Sequence, residues 1–341
     1  MSTYARLADL PLTVESYALE GRALDVSSGF TRKTTVVRLR GGGEEGVGED
    51  VVYDALEHDA FQAAGPVHPL AGEWTLADFC DHIDRLDLFG TEPEHGEASR
   101  RNRRWAFHSA ALDLALRQAG TPLHAVLGRA PRPVTFVVSL SLPDPPRATV
   151  VTDLLARYPT LRFKLDAKPS WDDELIATLR ATGAVAAIDY KGKYRGTAVD
   201  TVAEPGWYRR VAEGFPDAWL EDPDLDAPGI ADALADVRER ITWDAPIHTI
   251  ADIEALPFQP RMVNVKPSRL GGLASLCEAY DYCAAHGIGM YGGGQFELGP
   301  GRGQAQYLAA LFHPDAPNDL APGGYNLPQP PDGLPSSPLS P

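Results

Sequence analysis

Three patterns of apolar and polar positions follow one another along the chain. Over residues 12–52 the two kinds alternate, as in Thr13-Val14-Glu15-Ser16-Tyr17-Ala18-Leu19 and Lys33-Thr34-Thr35-Val36-Val37-Arg38-Leu39, with glycine-rich breaks between the pieces. Period-two alternation bounded by glycine predicts an antiparallel meander. The break at residues 41–48 has no Lys-Ser/Thr and enters no clear helix, so it reads as a long hairpin turn and not as a phosphate cradle. From about Thr75 to Leu127 the pattern is helical, most clearly over residues 105–116, and it stops near Gly120-Thr121-Pro122. A meander followed by helices makes an α+β domain over residues 1–130.

Beyond Pro133 strand and helix patterns alternate. Residues 134–140 read as a first strand and 149–157 as the helix that follows. Between Leu161 and Lys266 five short apolar runs each close on a charged residue: Lys164, Asp189, Glu221, Asp244 and Lys266, at separations of 25, 32, 23 and 22 residues. Each gap accommodates one buried strand, one return helix and two loops, the repeat of a parallel sheet with covering helices. A seventh strand is expected at residues 287–291, and residues 320–325 either complete the ring or pack back on the first domain. The barrel region is thus 131–327, and the Pro/Ser-rich segment 328–341 is expected to be disordered.

In a closed β/α barrel the C-terminal ends of the strands share one face, where residues from several strands converge. Three carboxylates between two lysines at that face make a divalent-metal site with bases beside it, and hard oxygen ligands suit Mg²⁺, with Mn²⁺ as the alternative. Any one of these charges alone would be a helix cap or a surface residue; five repeats of one pattern are not explained that way.

The 341-residue length suits a barrel plus a smaller domain. A net charge of −16 argues against a nucleic-acid partner. The basic cluster Arg100, Arg101, Arg103 and Arg104 reads as a solvated helix face. The cysteines Cys80, Cys277 and Cys283 lack metal-ligand spacing and read as free thiols. No signal-peptide pattern or membrane-length apolar run is present, so a cytoplasmic location without membrane contact is expected. The composition leaves a homo-oligomer open.

The ordered set of strand-end charges, with Leu-Glu-Asp-Pro around Glu221 and Asn-Val-Lys-Pro-Ser-Arg-Leu-Gly-Gly around Lys266, resembles the enolase superfamily, in particular its muconate-lactonizing-enzyme subgroup. The resemblance implies an α+β capping domain over a modified (β/α)₇β barrel, a TIM-like fold of the α/β class. It implies Lys164 and Lys266 as catalytic bases and Asp189, Glu221 and Asp244 as metal ligands. Two departures stand out. Where the subgroup usually has Lys-x-Lys, this chain has Arg162-Phe163-Lys164, and Arg162 retains a positive charge that would depress the Lys164 amine. Where the family often has Asp-x-Asn, it has Asp189-Tyr190-Lys191; Lys191 either touches substrate, opposes the cation, or lies on a surface loop. Gln295, Glu297 and Arg302, in the glycine-dense segment 291–303, either recognise substrate or belong to a tight turn. His108, His248 and His313 have little claim on the site.

The resemblance implies α-proton abstraction from a small carboxylate, with a bound cation acting as Lewis acid on the substrate carboxylate and a lysine of depressed pKa taking the proton. β-Elimination, as in o-succinylbenzoate synthases, is the favoured outcome because Arg162 and Lys191 would crowd the rim with positive charge. Epimerisation between two lysine bases and cycloisomerisation are alternatives, chosen by capping loops at 27–32 and 51–58. A ligand-binding barrel with a degraded metal site is the non-enzymatic alternative.

Overall fold

The computed structural model describes residues 2–25, 30–197, 200–327 and 329–340. The first domain is built on a three-stranded antiparallel meander, β2 (Ser16–Asp25), β3 (Thr31–Gly41) and β4 (Glu44–Asp50), while β1 (Pro11–Val14) pairs with β5 (Gly72–Thr75). The glycine break is not a long turn. Gly41 pairs with Glu44, so the turn is Gly42-Gly43, both at positive φ, and the remaining glycines belong to β4. Gly48 lets a helix cross the strand closely, since a Cβ there would lie 2.0 Å from the Ala106 carbonyl oxygen.

That helix is α3 (Glu97–Gln118), flanked by α1 (Ala55–Ala64), α2 (Leu76–Arg85) and α4 (Leu123–Leu127). Its stripe of Phe107, Ala110 and Leu114 packs in one cluster with Val37 and Leu39 of β3. Arg103 lies on the same stripe and is buried, contrary to the solvated face expected for the arginine cluster. Its Nε donates to Asp50 at 2.8 Å, and its guanidinium lies 3.7 Å from the Phe89 ring centroid. Arg100, Arg101 and Arg104 do form surface pairs, with Glu92, Glu97 and Asp84. Of the expected capping loops, residues 27–29 lie outside the described residues. Of the other, residues 51–54 form the connection between β4 and α1, with Val51 and Val52 buried, and 55–58 are the first turn of α1, which Asp54 caps.

The second domain is a closed barrel. Strands β6 (Val138–Ser141), β7 (Phe163–Asp166), β8 (Val185–Asp189), β9 (Trp219–Glu221) and β10 (Ile241–Thr242) pair in parallel in that order, and β11 (Met262–Val265) pairs with β12 (Gly289–Gly292). Single parallel bridges close the ring, Trp243 to Val263, Gly293 to Asp319 and Asn318 to Phe136. The eighth position is therefore Asn318-Asp319, just ahead of the segment expected to fill it. Outside lie α5 (Thr149–Arg157), α6 (Asp173–Ala181), α7 (Pro205–Gly214), α8 (Ile230–Ala233), α9 (Ile250–Glu254), α10 (Pro267–Leu270), α11 (Leu273–His286) and α12 (Pro300–Phe312). Strand alternation divides the residues between layers: Phe163, Leu165, Ile188 and Leu220 join the apolar core, and Lys164, Asp189 and Glu221 turn toward the barrel axis. No helix among the described residues is long and apolar enough to cross a membrane.

Described residues of the C-terminal segment pair with the start of the barrel. Leu339 pairs with Val134, and the buried Ser337 hydroxyl accepts the Phe136 N–H at 3.1 Å, because the first barrel segment leaves backbone groups there to be satisfied.

Long-range bonds tie the two domains together. The Glu49 carboxylate accepts the N–H groups of Leu298, Gly299 and Gly301 at 2.7–3.0 Å, at the start of α12. Backbone donors of the glycine-dense segment therefore hold an anion supplied by the capping domain. Buried Arg32 donates to Val51 O at 2.7 Å and to Gln295 O at 2.9 Å. Glu49→Ala is expected to lower stability by about 3 kcal/mol, because buried N–H groups lose a charged acceptor; urea denaturation of the full chain measures it.

Candidate active site

The five strand-end charges converge at one mouth of the barrel. Lys164, on the second strand, contacts Glu221 and lies 3.3 Å from Asp189 and 3.4 Å from Asp319. Lys266 follows the sixth strand and lies 2.8 Å from Asp244, which also pairs with Arg269. In an eight-position ring, positions two and six face each other, so the lysines approach the carboxylates from opposite sides. All five residues are at least nine-tenths buried. Gly293 permits the approach of Lys266, because a Cβ there would lie 2.4 Å from Lys266 Cε.

The two lysines are driven in opposite directions. Burial depresses the Lys266 amine, Arg269 depresses it further, and Asp244 only partly compensates. Burial would also lower Lys164, but Glu221, Asp189, Asp319 and Asp244 outweigh it and hold the ammonium well above the ordinary lysine value. Burial raises Asp189, yet Lys191 and Lys164 bring it down to about 2. Burial, reinforced by Asp244 and Asp189, pushes Asp222 up to about 7. Glu221 rises well above its usual value through burial, against Lys164 and with the neighbouring carboxylates.

Carboxylates thus outnumber cations. Asp166, Asp189, Glu221, Asp222, Asp244 and Asp319 meet Lys164, Lys191, Lys266 and Arg269, six acidic groups to four basic ones, a formal excess of two negative charges. Glu221, Asp222 and Asp244 each offer an oxygen within 4.8 Å of the others. This donor set and its excess charge fit one divalent cation. The convergent trio differs from the sequence expectation by containing Asp222 and omitting Asp189. Asp222, at φ 47°, accepts the N–H groups of Asp244 and Ala245 at 2.9 and 2.8 Å, which holds the end of the fifth strand in place.

Other candidates lie elsewhere or are already engaged. Arg162 is exposed and donates to the Gly183 carbonyl, at the opposite end of the barrel from the carboxylates, so it does not share their mouth with Lys164. Lys191 is no surface residue; its ammonium contacts Asp189 and lies 3.1 Å from Asp166. Glu297 pairs with Arg302 at 3.1 Å and accepts the Gln295 N–H at 2.7 Å, so it shapes the turn. The Gln295 side chain accepts from the half-exposed Tyr53 hydroxyl at 3.1 Å. His313 is buried and bonds Asn318 at 2.7 Å, His248 bonds Pro246 O, and His108 Nδ1 accepts the Leu273 N–H across the domain boundary.

Sequence reasoning missed Asp166, Asp222, Arg269, Tyr291 and Asp319. Asp222 and Arg269 stood within the two quoted motifs. Tyr291, whose hydroxyl donates to Glu221, stood in the glycine-dense segment, whereas only ring closure brings Asp319 to Lys164.

Comparison with known proteins agrees with this architecture. An o-succinylbenzoate synthase of Geobacillus stearothermophilus is 27% identical over 228 residues, 63% of this chain and 58% of that protein. An N-succinylamino acid racemase of Amycolatopsis sp is 29% identical over 226 residues, 63% of this chain and 59% of that protein. The alignments therefore span under two thirds of either relative. The crystal structure of a dipeptide epimerase from Methylococcus capsulatus, complexed with Mg and the dipeptide L-Arg-D-Lys, superposes with a TM-score of 0.68 at 20% identity, covering 93% of each chain, a likeness of fold. Residues 5–126 and 130–327 match the N-terminal and C-terminal domains of the family described as domain of unknown function DUF8230. The chain belongs to the DUF8230 family, and its capping domain and barrel are those of the enolase-superfamily fold.

Proposed function

We propose that this protein is an enzyme that removes the α-proton of a small carboxylate and completes the reaction by β-elimination. The observation that carries the reading is the pair of lysines that approach the carboxylate cluster from opposite sides, Lys164 at Glu221 and Lys266 at Asp244, in a site where carboxylates formally outnumber cations.

Asp189, Glu221 and Asp244 are the proposed ligands of a Mg²⁺ ion, with Mn²⁺ as a substitute. Lysine ammoniums, which a divalent cation can displace, occupy their acidic oxygens, whereas Asp222 is committed to two backbone N–H groups. The cation would supply Lewis-acid stabilisation of the charge that develops on the substrate carboxylate. Lys266, on the side of Arg269, takes the α-proton; Lys164 faces the dianion from the other side, with Asp319 left as its partner when the cation takes Glu221 and Asp189. Arg269 keeps Lys266 acidic, and Gln295 with Tyr53 borders the substrate at the mouth. The case for elimination thus rests on this division of labour and no longer on Arg162.

Racemisation is the second reading, favoured by the placement of the lysines on opposite sides. A library of acyl-amino acids, dipeptides, sugar acids and succinylbenzoate-type acids in D₂O with Mg²⁺ tests both. At least one member is expected to exchange its α-proton, with loss of a β-leaving group for a lyase and inversion for a racemase. Absence of exchange from every carboxylate, in a protein that binds Mg²⁺, would favour a ligand-binding barrel.

A further inference from the structure

Lys191 makes an arrangement that neither the carboxylate cluster nor the proposed chemistry requires. The chain leaves β8 at Asp189 and enters the left-handed region at Lys191, with φ 56°, a conformation that costs a non-glycine residue roughly 1 kcal/mol. The turn folds the lysine back on the residue two positions earlier: its N–H donates to Asp189 Oδ1 at 2.9 Å, and its ammonium contacts Asp189 Oδ2. The same ammonium lies 3.1 Å from Oδ1 of Asp166, at the end of the neighbouring β7. Asp166 is held from its other side by the Ser141 hydroxyl, and its Oδ1 is buried without a hydrogen-bond partner. One ammonium therefore stands between two carboxylates, only one of which is a proposed ligand.

We propose that Lys191 is an internal competitor for the cation site and that Asp166 is the carboxylate that receives its ammonium when a divalent cation takes Asp189. This rests on the metal-site reading above. The transfer needs little motion, since the ammonium is already within ion-pair distance of both acids. It also keeps a positive charge at the rim after the cation binds, on the side of the second and third strands, where a carboxylate of the substrate would meet it. Asp166 is thus a positioning residue that acts through Lys191.

Calorimetric titration of the full-length chain with Mg²⁺ and with Mn²⁺ tests this without any substrate. Lys191→Met should tighten binding by about tenfold, because a like charge leaves the ligand. Asp166→Asn should do the opposite, weakening binding by about fivefold, because the displaced ammonium loses its second partner. In the Lys191→Met background, Asp166→Asn should change affinity by less than about twofold, as nothing remains to be received. Should Asp166→Asn not fold, Asp166→Ser is read in the same way. Equal weakening in both backgrounds would overturn the proposal by showing that Asp166 acts directly on the cation, and so would unchanged or tighter binding by Asp166→Asn alone. Failure of the wild type and Lys191→Met alike to bind either ion would overturn the metal-site reading, and this inference with it. Binding by Lys191→Met but not by the wild type supports competition.

Discussion

Asp244→Asn is expected to abolish divalent-cation binding and to destabilise the fold by about 3–5 kcal/mol, the range for breaking a buried ion pair by removing one partner. Asp244 serves two cations at once, Lys266 at 2.8 Å and Arg269 at 2.5 Å, and these would be left buried with a neutral amide between them. It is also a proposed ligand, so the loss acts on both folding and metal. Mg²⁺ should raise the melting temperature of the wild type by mass action and leave that of Asp244→Asn unmoved. Unchanged affinity in a folded Asp244→Asn protein would place the cation somewhere other than this mouth.

Lys266→Ala is expected to reduce α-proton exchange by about a thousandfold, the middle of the range for loss of a positioned general base. Lys164→Ala should retain measurable exchange from the same substrate, since its ammonium only faces the charge that develops. A racemase would behave differently, each variant losing exchange from one substrate epimer alone. The pH profile carries the same information. Exchange needs Lys266 neutral, and burial and Arg269 lower its pKa, so the rate should rise with pH and level off below the ordinary lysine value of 10.5. Arg269→Gln removes a depressing charge and should move that limb to higher pH. A limb that stays in place would show that Arg269 does not act on Lys266.

Glu49 illustrates what spacing along the chain cannot convey. Its carboxylate fills the anion-binding turn at the start of α12 from 249 to 252 residues away. Glycine density leaves backbone N–H groups accessible but carries no mark of what they hold. Arg103 illustrates the converse: its place on the Phe107, Ala110 and Leu114 stripe was readable, and a run of four arginines outweighed it.

Local chemistry determined much of this protein directly. Strand periodicity and the 22- to 32-residue spacing of Lys164, Asp189, Glu221, Asp244 and Lys266 were enough for the barrel and for their common mouth, because each charge ends an apolar run. Tertiary structure alone decided which neighbours join them. Arg162 shares an alternation with Lys164, but each residue of a strand advances the chain about 3.3 Å, so two positions carry Arg162 toward the other mouth. On an extended strand Lys191 would lie two residues beyond Asp189 on the same side, and a positive φ instead returns it to Asp189. Asp166 and Asp319 enter only because the ring closes with these registers, placing the eighth position beside the first and Asp319 within 3.4 Å of Lys164. A residue's type and spacing thus set what it can do in this chain, and the register between strands distant in sequence sets what it meets.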